Sequence, residues 1–359
     1  MKLFLNVSII LLLLSFAFHA DMKAQTMNNN TNKIAITPAA DSSDRNNNFY
    51  DNTETYTLPG SEIEITGEIE NPGKVDFSKL SKHLVIVKET ILQGEGQDSF
   101  VGAYRYDGYS LFDILNDRII KKKNAAEYKP IIDLFVEIEN SNGEKVILSW
   151  GEIYYPNFLH NSIIATSVAR IVPSKTKDLW PLPKESKLVV ANDLITERNI
   201  SNPVKITVKS YARSIPVNRD LTPLYSNEVK IFNGEKEVGK ITELPRKFQN
   251  ETVHTIFYGR GRGIHSTQPF TGVYLKEVLS THFRMDKNNL QKGIVILVGK
   301  DGYRSAFSYS EIVNRNDQAE VLIVPCEKEK DGGKFRIFPA CDFFSDRAVK
   351  ALSEILLIY

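Results

Sequence analysis

Gly108-Tyr109-Ser110-Leu111-Phe112-Asp113-Ile114-Leu115 is written a second time as Gly272-Val273-Tyr274-Leu275-Lys276-Glu277-Val278-Leu279. In each, apolar residues three and four apart give the start of a helix one buried face. Three further matches flank this pair in the same order. Upstream, Thr90-Ile91-Leu92-Gln93-Gly94-Glu95-Gly96 matches Thr255-Ile256-Phe257-Tyr258-Gly259-Arg260-Gly261. Downstream, Gly143 with Ser149-Trp150-Gly151-Glu152-Ile153 matches Gly302 with Ser308-Tyr309-Ser310-Glu311-Ile312. Last, residues 188–198 match 337–347, sharing Ala191/Ala340, Asp193/Asp342, Thr196/Ser345, Glu197/Asp346 and Arg198/Arg347. The offset falls along the chain, so the second copy has the shorter loops. A period of this length is far beyond that of a solenoid repeat. The expectation is one domain at 59–210, a second at 225–359, and a Pro-bearing linker at 211–224.

Composition limits what such a pair can do. The 359 residues carry 45 Lys plus Arg against 44 Asp plus Glu, a net charge of +1. A polyanion-binding protein needs a basic excess, so nucleic acid is not an expected partner. Two cysteines exclude a Cys-rich zinc module or an iron–sulfur cluster. Met1-Lys2 precedes an apolar run over 7–18, which is shorter than the roughly 20 residues of a membrane helix. Residues 1–24 therefore read as a signal peptide cleaved after Ala24, with an uncleaved anchor as the alternative. No cysteine lies near that point to carry a lipid, which predicts a secreted or periplasmic protein with no membrane span in the mature chain. Residues 25–58, rich in Asn, Ser, Thr and Asp, read as a disordered linker.

Each copy has one layout. Residues 63–69 alternate apolar and polar and predict a half-buried strand, followed by a turn at Asn71-Pro72-Gly73. Asn233-Gly234 between 229–232 and 238–241 is a two-residue hairpin signal. Further strands are expected at 84–92, 135–138, 146–148, 163–171 and 188–190. In the second copy they fall at 253–257, 294–298, 305–307, 321–324 and 335–338. Helices should open at Ser110, Tyr274, Ser149 and Ser308. The fold class is α+β, a mixed strand-rich sheet with short helices, present twice.

This order of motifs resembles the molybdopterin-binding domain of the sulfite oxidase and assimilatory nitrate reductase family. The second copy carries the likeness furthest, through Phe270-Thr-Gly-Val-Tyr-Leu, Lys300-Asp-Gly-Tyr303 and Phe335-Arg-Ile-Phe-Pro339. The resemblance implies two sulfite-oxidase-like folds in tandem. It also implies a molybdenum held by one protein thiolate, in a Thr-Leu-x-Cys-x-Gly-like segment, since a soft sulfur ligand suits that metal. Gln93 and Tyr258 stand at that position, an amide and a phenol. They are degenerate metal-ligand positions, so no catalytic residue, no metal and no cofactor is expected, with molybdopterin as the alternative.

The run Gly259-Arg260-Gly261-Arg262-Gly263 with His265 carries the candidate ligand contacts. Glycines let backbone amides approach an anion, and arginines add bidentate donors. In the resembled family basic side chains near this loop contact the pterin phosphate or an oxyanion. Arg260, Arg262, His265 and Tyr258 are the ligand-binding candidates, against the plainer reading of a solvated loop. In the first copy Glu95 replaces Arg260 and reverses the sign. Ser149…Glu152 and Ser308…Glu311 match the capping box, and the Asp193/Arg198 and Asp342/Arg347 pairs should brace a turn. Cys326 and Cys341 flank a tight-turn signal and are candidates for a disulfide, or for two thiols held apart by strand register. The histidines show no metal-type spacing.

The expectation is thus an exported tandem protein that binds a small anionic ligand or another exported protein. The alternatives are a molybdopterin-dependent oxidoreductase that uses the second copy, and a structural protein with no ligand. A deep polar cleft beside 259–263 would favour binding or catalysis.

Overall fold

The computed structural model describes residues 54–94, 98–173, 175–326 and 332–359. The expected signal peptide, most of the expected linker and Glu95 lie outside them. From the N-terminal side the elements run β1 (Thr55–Thr57), β2 (Glu64–Gly67), β3 (Gly73–Lys74), β4 (His83–Leu92), β5 (Asp98–Ser110) and α1 (Leu111–Asn116). Next come β6 (Leu134–Asn140), β7 (Lys145–Ser149), α2 (Trp150–Tyr154), β8 (Ser162–Arg170), β9 (Lys187–Val190) and β10 (Pro203–Ser210). The second half opens with β11 (Val229–Asn233), β12 (Lys236–Ile241), β13 (Asn250–Val253), β14 (Phe257–Gly259), β15 (Gly263–Ser266), β16 (Phe270–Tyr274) and α3 (Leu275–Ser280). It closes with α4 (Lys287–Lys292), β17 (Ile294–Gly299), β18 (Arg304–Ser308), α5 (Tyr309–Val313), β19 (Val321–Pro325), β20 (Phe335–Pro339) and β21 (Leu352–Ile358). The architecture is mixed α+β and strand-rich, with short helices.

Two five-stranded sheets share one strand order. The first is β3-β2-β10-β6-β7 and the second is β12-β11-β21-β17-β18. Each has a single parallel contact, β2 with β10 and β11 with β21. Two further sheets correspond as well: β4-β5-β8-β9, with β1 also on β8, and β13-β16-β19-β20. Burial follows the alternation expected over 63–69 as far as Thr66, with Ile63 and Ile65 buried beside exposed Glu64, and departs from it where both Glu68 and Ile69 are buried. Val136 and Ile138 of β6 are fully buried between half-exposed neighbours, whereas β17 is buried along its whole length. That difference arises because β17 is covered on both faces. One side joins the C-terminal core, and the other packs Ile294, Ile296 and Val298 on Ile147 and Tyr211 of the first half.

The repeated glycines have steric causes. A Cβ on Gly108 would sit 2.1 Å from the Ile164 carbonyl oxygen, and one on Gly272 would sit 2.5 Å from that of Ile323. Each lets its strand cross close to the next just before the helix. The upstream match needs correcting. His83 lies opposite Gly108, and Glu251 lies opposite Gly272. While Thr90–Leu92 continue β4, the second half leaves the sheet after Val253 and builds a separate β14–β15 hairpin. The strand expected over 253–257 is therefore two strands with a break.

Candidate functional site

The residues that recur most faithfully meet at the seam between the halves. Both Ser–Glu capping boxes form, at the starts of α2 and α5. Arg198 grips both oxygens of Asp193 at 2.8 and 2.7 Å and both oxygens of Glu152 at 3.0 Å. It also donates to Ser308 Oγ of the other half at 3.0 Å. Arg347 repeats the arrangement on Asp342 and Glu311, and donates to Ser149 Oγ at 3.1 Å. Ser149 Oγ in turn donates to Glu311 Oε2 at 2.7 Å. The turn-bracing pairs are present, each within its own half, but their side chains are buried and their arginines also donate across to the other half. A third buried arginine, Arg304, lies over the Tyr128 ring and contacts Asp133 and Glu127 of the first half.

This cluster is electrostatically closed. Burial opposes the charge on Arg347, but Asp342 and Glu311 hold its guanidinium well above the ordinary range. Burial pushes the Asp342 carboxyl up, against the pull of Arg347. Glu311, Cys341 and Asp342 place ligand atoms within 4.8 Å of one another. Both carboxylates are already taken by Arg347, and burial drives the Cys341 thiol strongly upward and keeps it protonated. A metal ion there would have to displace a guanidinium from a dry site. The cluster joins the halves and offers nothing to a ligand.

The cysteines are both free, which corrects the disulfide expectation. The register supplies the reason. β19 and β20 pair antiparallel from Val321 opposite Pro339 to Pro325 opposite Phe335. Cys326 follows one end of this ladder and Cys341 follows the other, roughly 20 Å away at about 3.4 Å per residue. A disulfide needs Cα atoms within about 7 Å.

The predicted anion residues sit on the β14–β15 hairpin. Arg260 and Arg262 are in its turn, and all three basic side chains are exposed. Arg260 Nε lies 3.5 Å from Asp346 Oδ1, and its backbone amide approaches the same carboxylate. Its charge is thus partly answered from within the chain. Arg262 makes no ion pair among the described residues. The His265 ring lies against Gly259, where a Cβ would come within 2.2 Å of Nε2. Tyr258 packs its ring on Phe343 and Phe344 and remains 38% exposed. Ile256, Ile264 and Phe343 add exposed apolar surface beside it. Gln93 is exposed at the end of β4. The basic and apolar groups of the hairpin are thus largely open to solvent.

An open cleft lies instead in the N-terminal half. It holds about 820 Å³ and is bordered by Lys74, Lys79, Arg118, His83, Asp113 and His160. The three rim cations pair with Glu62, Asp76 and Asp117, so the cleft carries no strong excess of one sign. On its floor His83 Nε2 is 2.7 Å from Asp113 Oδ2, and His160 Nδ1 is 3.8 Å from the same oxygen. The two imidazoles stack at 3.7 Å. Burial, then the neighbouring His83, holds the pKa of His160 below the usual histidine value. His83 and His160 are 77 positions apart, so linear spacing could not have paired them. Asp113, in the repeated helix start, is the residue that links them, through His83 at the start of β4 and His160.

No family model matches the chain, and no curated protein matches it. Among the described residues, no helix is long and apolar enough to cross a membrane.

Proposed function

We propose that this is an exported protein of two molybdopterin-domain-like modules, working by binding and not by catalysis, with an acidic exported protein as its partner. The observation that carries the reading is the β14–β15 hairpin, where Arg260, Arg262 and His265 stand exposed among exposed Ile256, Tyr258, Ile264 and Phe343. A small anion is held by convergent donors in a concave site. An exposed mixture of arginine, aromatic and aliphatic groups suits a protein surface, where such residues concentrate binding energy.

The donor set does not fit a molybdenum cofactor. Gln93 and Tyr258 supply no thiolate. Of the two thiols, Cys341 is buried at the seam, and Cys326 is at the far end of the β19–β20 ladder. No oxygen-transfer step follows from these residues. The matching strand orders of the paired sheets support the tandem reading, and the buried arginine seam supports a rigid platform for the hairpin.

The test is affinity capture from the native host with wild-type protein and an Arg260→Ala/Arg262→Ala double variant, followed by measured binding of the captured partner. An acidic partner bound at least tenfold more weakly by the variant supports the reading. Equal binding by both proteins removes the hairpin from recognition. Stoichiometric molybdenum in protein purified from that host overturns the non-catalytic assignment.

A further inference from the structure

We propose that His83, Asp113 and His160 bind one divalent transition-metal ion of the zinc class at the floor of the N-terminal cleft. The site is independent of the hairpin, 

and its failure would leave the partner reading untouched. Two imidazole nitrogens and one carboxylate oxygen lie within 4.8 Å of one another. Ligand atoms about 2.0–2.2 Å from a tetrahedral zinc stand roughly 3.4 Å apart. The observed 2.7 and 3.8 Å separations from Asp113 Oδ2 bracket that value. This mixture of donors suits zinc and its neighbours, whereas calcium and magnesium favour all-oxygen sites.

Access and anchoring agree with an ion reached from solvent. The side chains of His83, Asp113 and His160 keep 24%, 24% and 40% of their surface exposed. They face a cleft of about 820 Å³, which leaves room for water or a ligand in the remaining position. Two of the donors sit on regular elements, His83 at the start of β4 and Asp113 in the first turn of α1, while His160 lies in the turn two residues before β8. Ser110 Oγ accepts the Asp113 amide at 3.1 Å and lies 3.0 Å from His160 Nδ1. The Ser110 hydroxyl thus competes for the Nδ1 lone pair of His160, and an ion at this site would take its place there. An ion takes neutral imidazoles and an ionised carboxylate as ligands, so binding is coupled to pH. Loading also turns the stacked rings, because both in-plane lone pairs must point at one centre.

The C-terminal half lacks this chemistry at the matching positions. By strand register and helix alignment Glu251 replaces His83, Glu277 replaces Asp113 and Ala319 replaces His160. One site per chain is therefore expected.

The experiment is calorimetric titration of chelator-treated, untagged protein with zinc chloride at pH 7.5, repeated at pH 5.5. One ion per chain should bind, at least tenfold more weakly at the lower pH. His160→Gln and Asp113→Asn should each weaken binding tenfold or more, while Cys326→Ser should leave it unchanged. Circular dichroism verifies that the folded state persists, and His160 is exposed enough for its Gln variant to retain it. Absence of saturable binding in the wild type overturns the site. So does wild-type affinity in the folded His160→Gln protein, or a loss of binding that follows Cys326→Ser.

Discussion

The two halves share their strand orders and their seam, and differ at the cleft triad and at the Arg-bearing hairpin. Ser149, Glu152, Asp193 and Arg198 have their counterparts in Ser308, Glu311, Asp342 and Arg347, and all eight meet inside. The cleft triad belongs only to the first half, and the Arg-bearing hairpin only to the second. The Ser, Glu, Asp and Arg residues that recur thus meet between the halves, whereas the triad and the hairpin, which do not recur, reach solvent. Recurrence alone, used as a guide to chemistry, points to the seam, where every carboxylate already has its arginine.

The sharpest way to break that comparison is to remove one arginine. Arg347→Met or Arg198→Met leaves two buried carboxylates without their partner, a loss of about 3–5 kcal/mol. Denaturant unfolding should show similar costs for the two, since the arrangements match. A cost within 0.5 kcal/mol for either would show that the seam does not couple the halves. Next comes Gly151→Ala, whose Cβ would fall 2.3 Å from the Arg347 guanidinium. Overpacking there should cost about 1–3 kcal/mol, and the same unfolding curve measures it. Ser310→Ala, at the matching position, should cost less, through the lost hydrogen bond from Asn314.

A smaller effect separates the exposed features. The Arg260→Ala/Arg262→Ala protein should keep its unfolding midpoint, with a stability change of about 0.5 kcal/mol or less, because both side chains are solvated. The smallest effect expected is the pH response of His160. Its folded pKa lies below the unfolded value of about 6.5, so the unfolded chain binds the proton more readily. The stability contribution is present above pH 6.5 and falls as the pH drops through that window. Unfolding midpoints from pH 7.5 to 5.5 should show a shallower fall in His160→Gln than in the wild type. A parallel fall in both would place the response elsewhere.

Much of this was legible in the chain. The helix at 111–116 begins after Ser110 as the capping residue predicts, and both Ser–Glu boxes close as their three-residue spacing requires. The hairpin signalled by Asn233-Gly234 forms, but its two-residue turn is Gly234-Glu235, one position later, with Asn233 paired to Lys236 and Gly234 at φ +60°. Legibility failed where contact depends on register. The disulfide expectation came from a short sequence separation, which an antiparallel ladder turned into a long spatial one. The hairpin at 257–266 was hidden because Thr255-Ile256 copies the wording of Thr90-Ile91 without its pairing. The triad could not be seen because it joins residues from three segments.

Local signals, which act over three or four residues through hydrogen bonds and side-chain spacing, were set by the sequence alone: caps, turns, strand periods and the repeated order of elements. The burial of three arginines between halves, the separation of the two thiols and the meeting of His83, Asp113 and His160 were decided by packing. Those outcomes depend on how whole sheets register against one another, and no short window of residues contains that information.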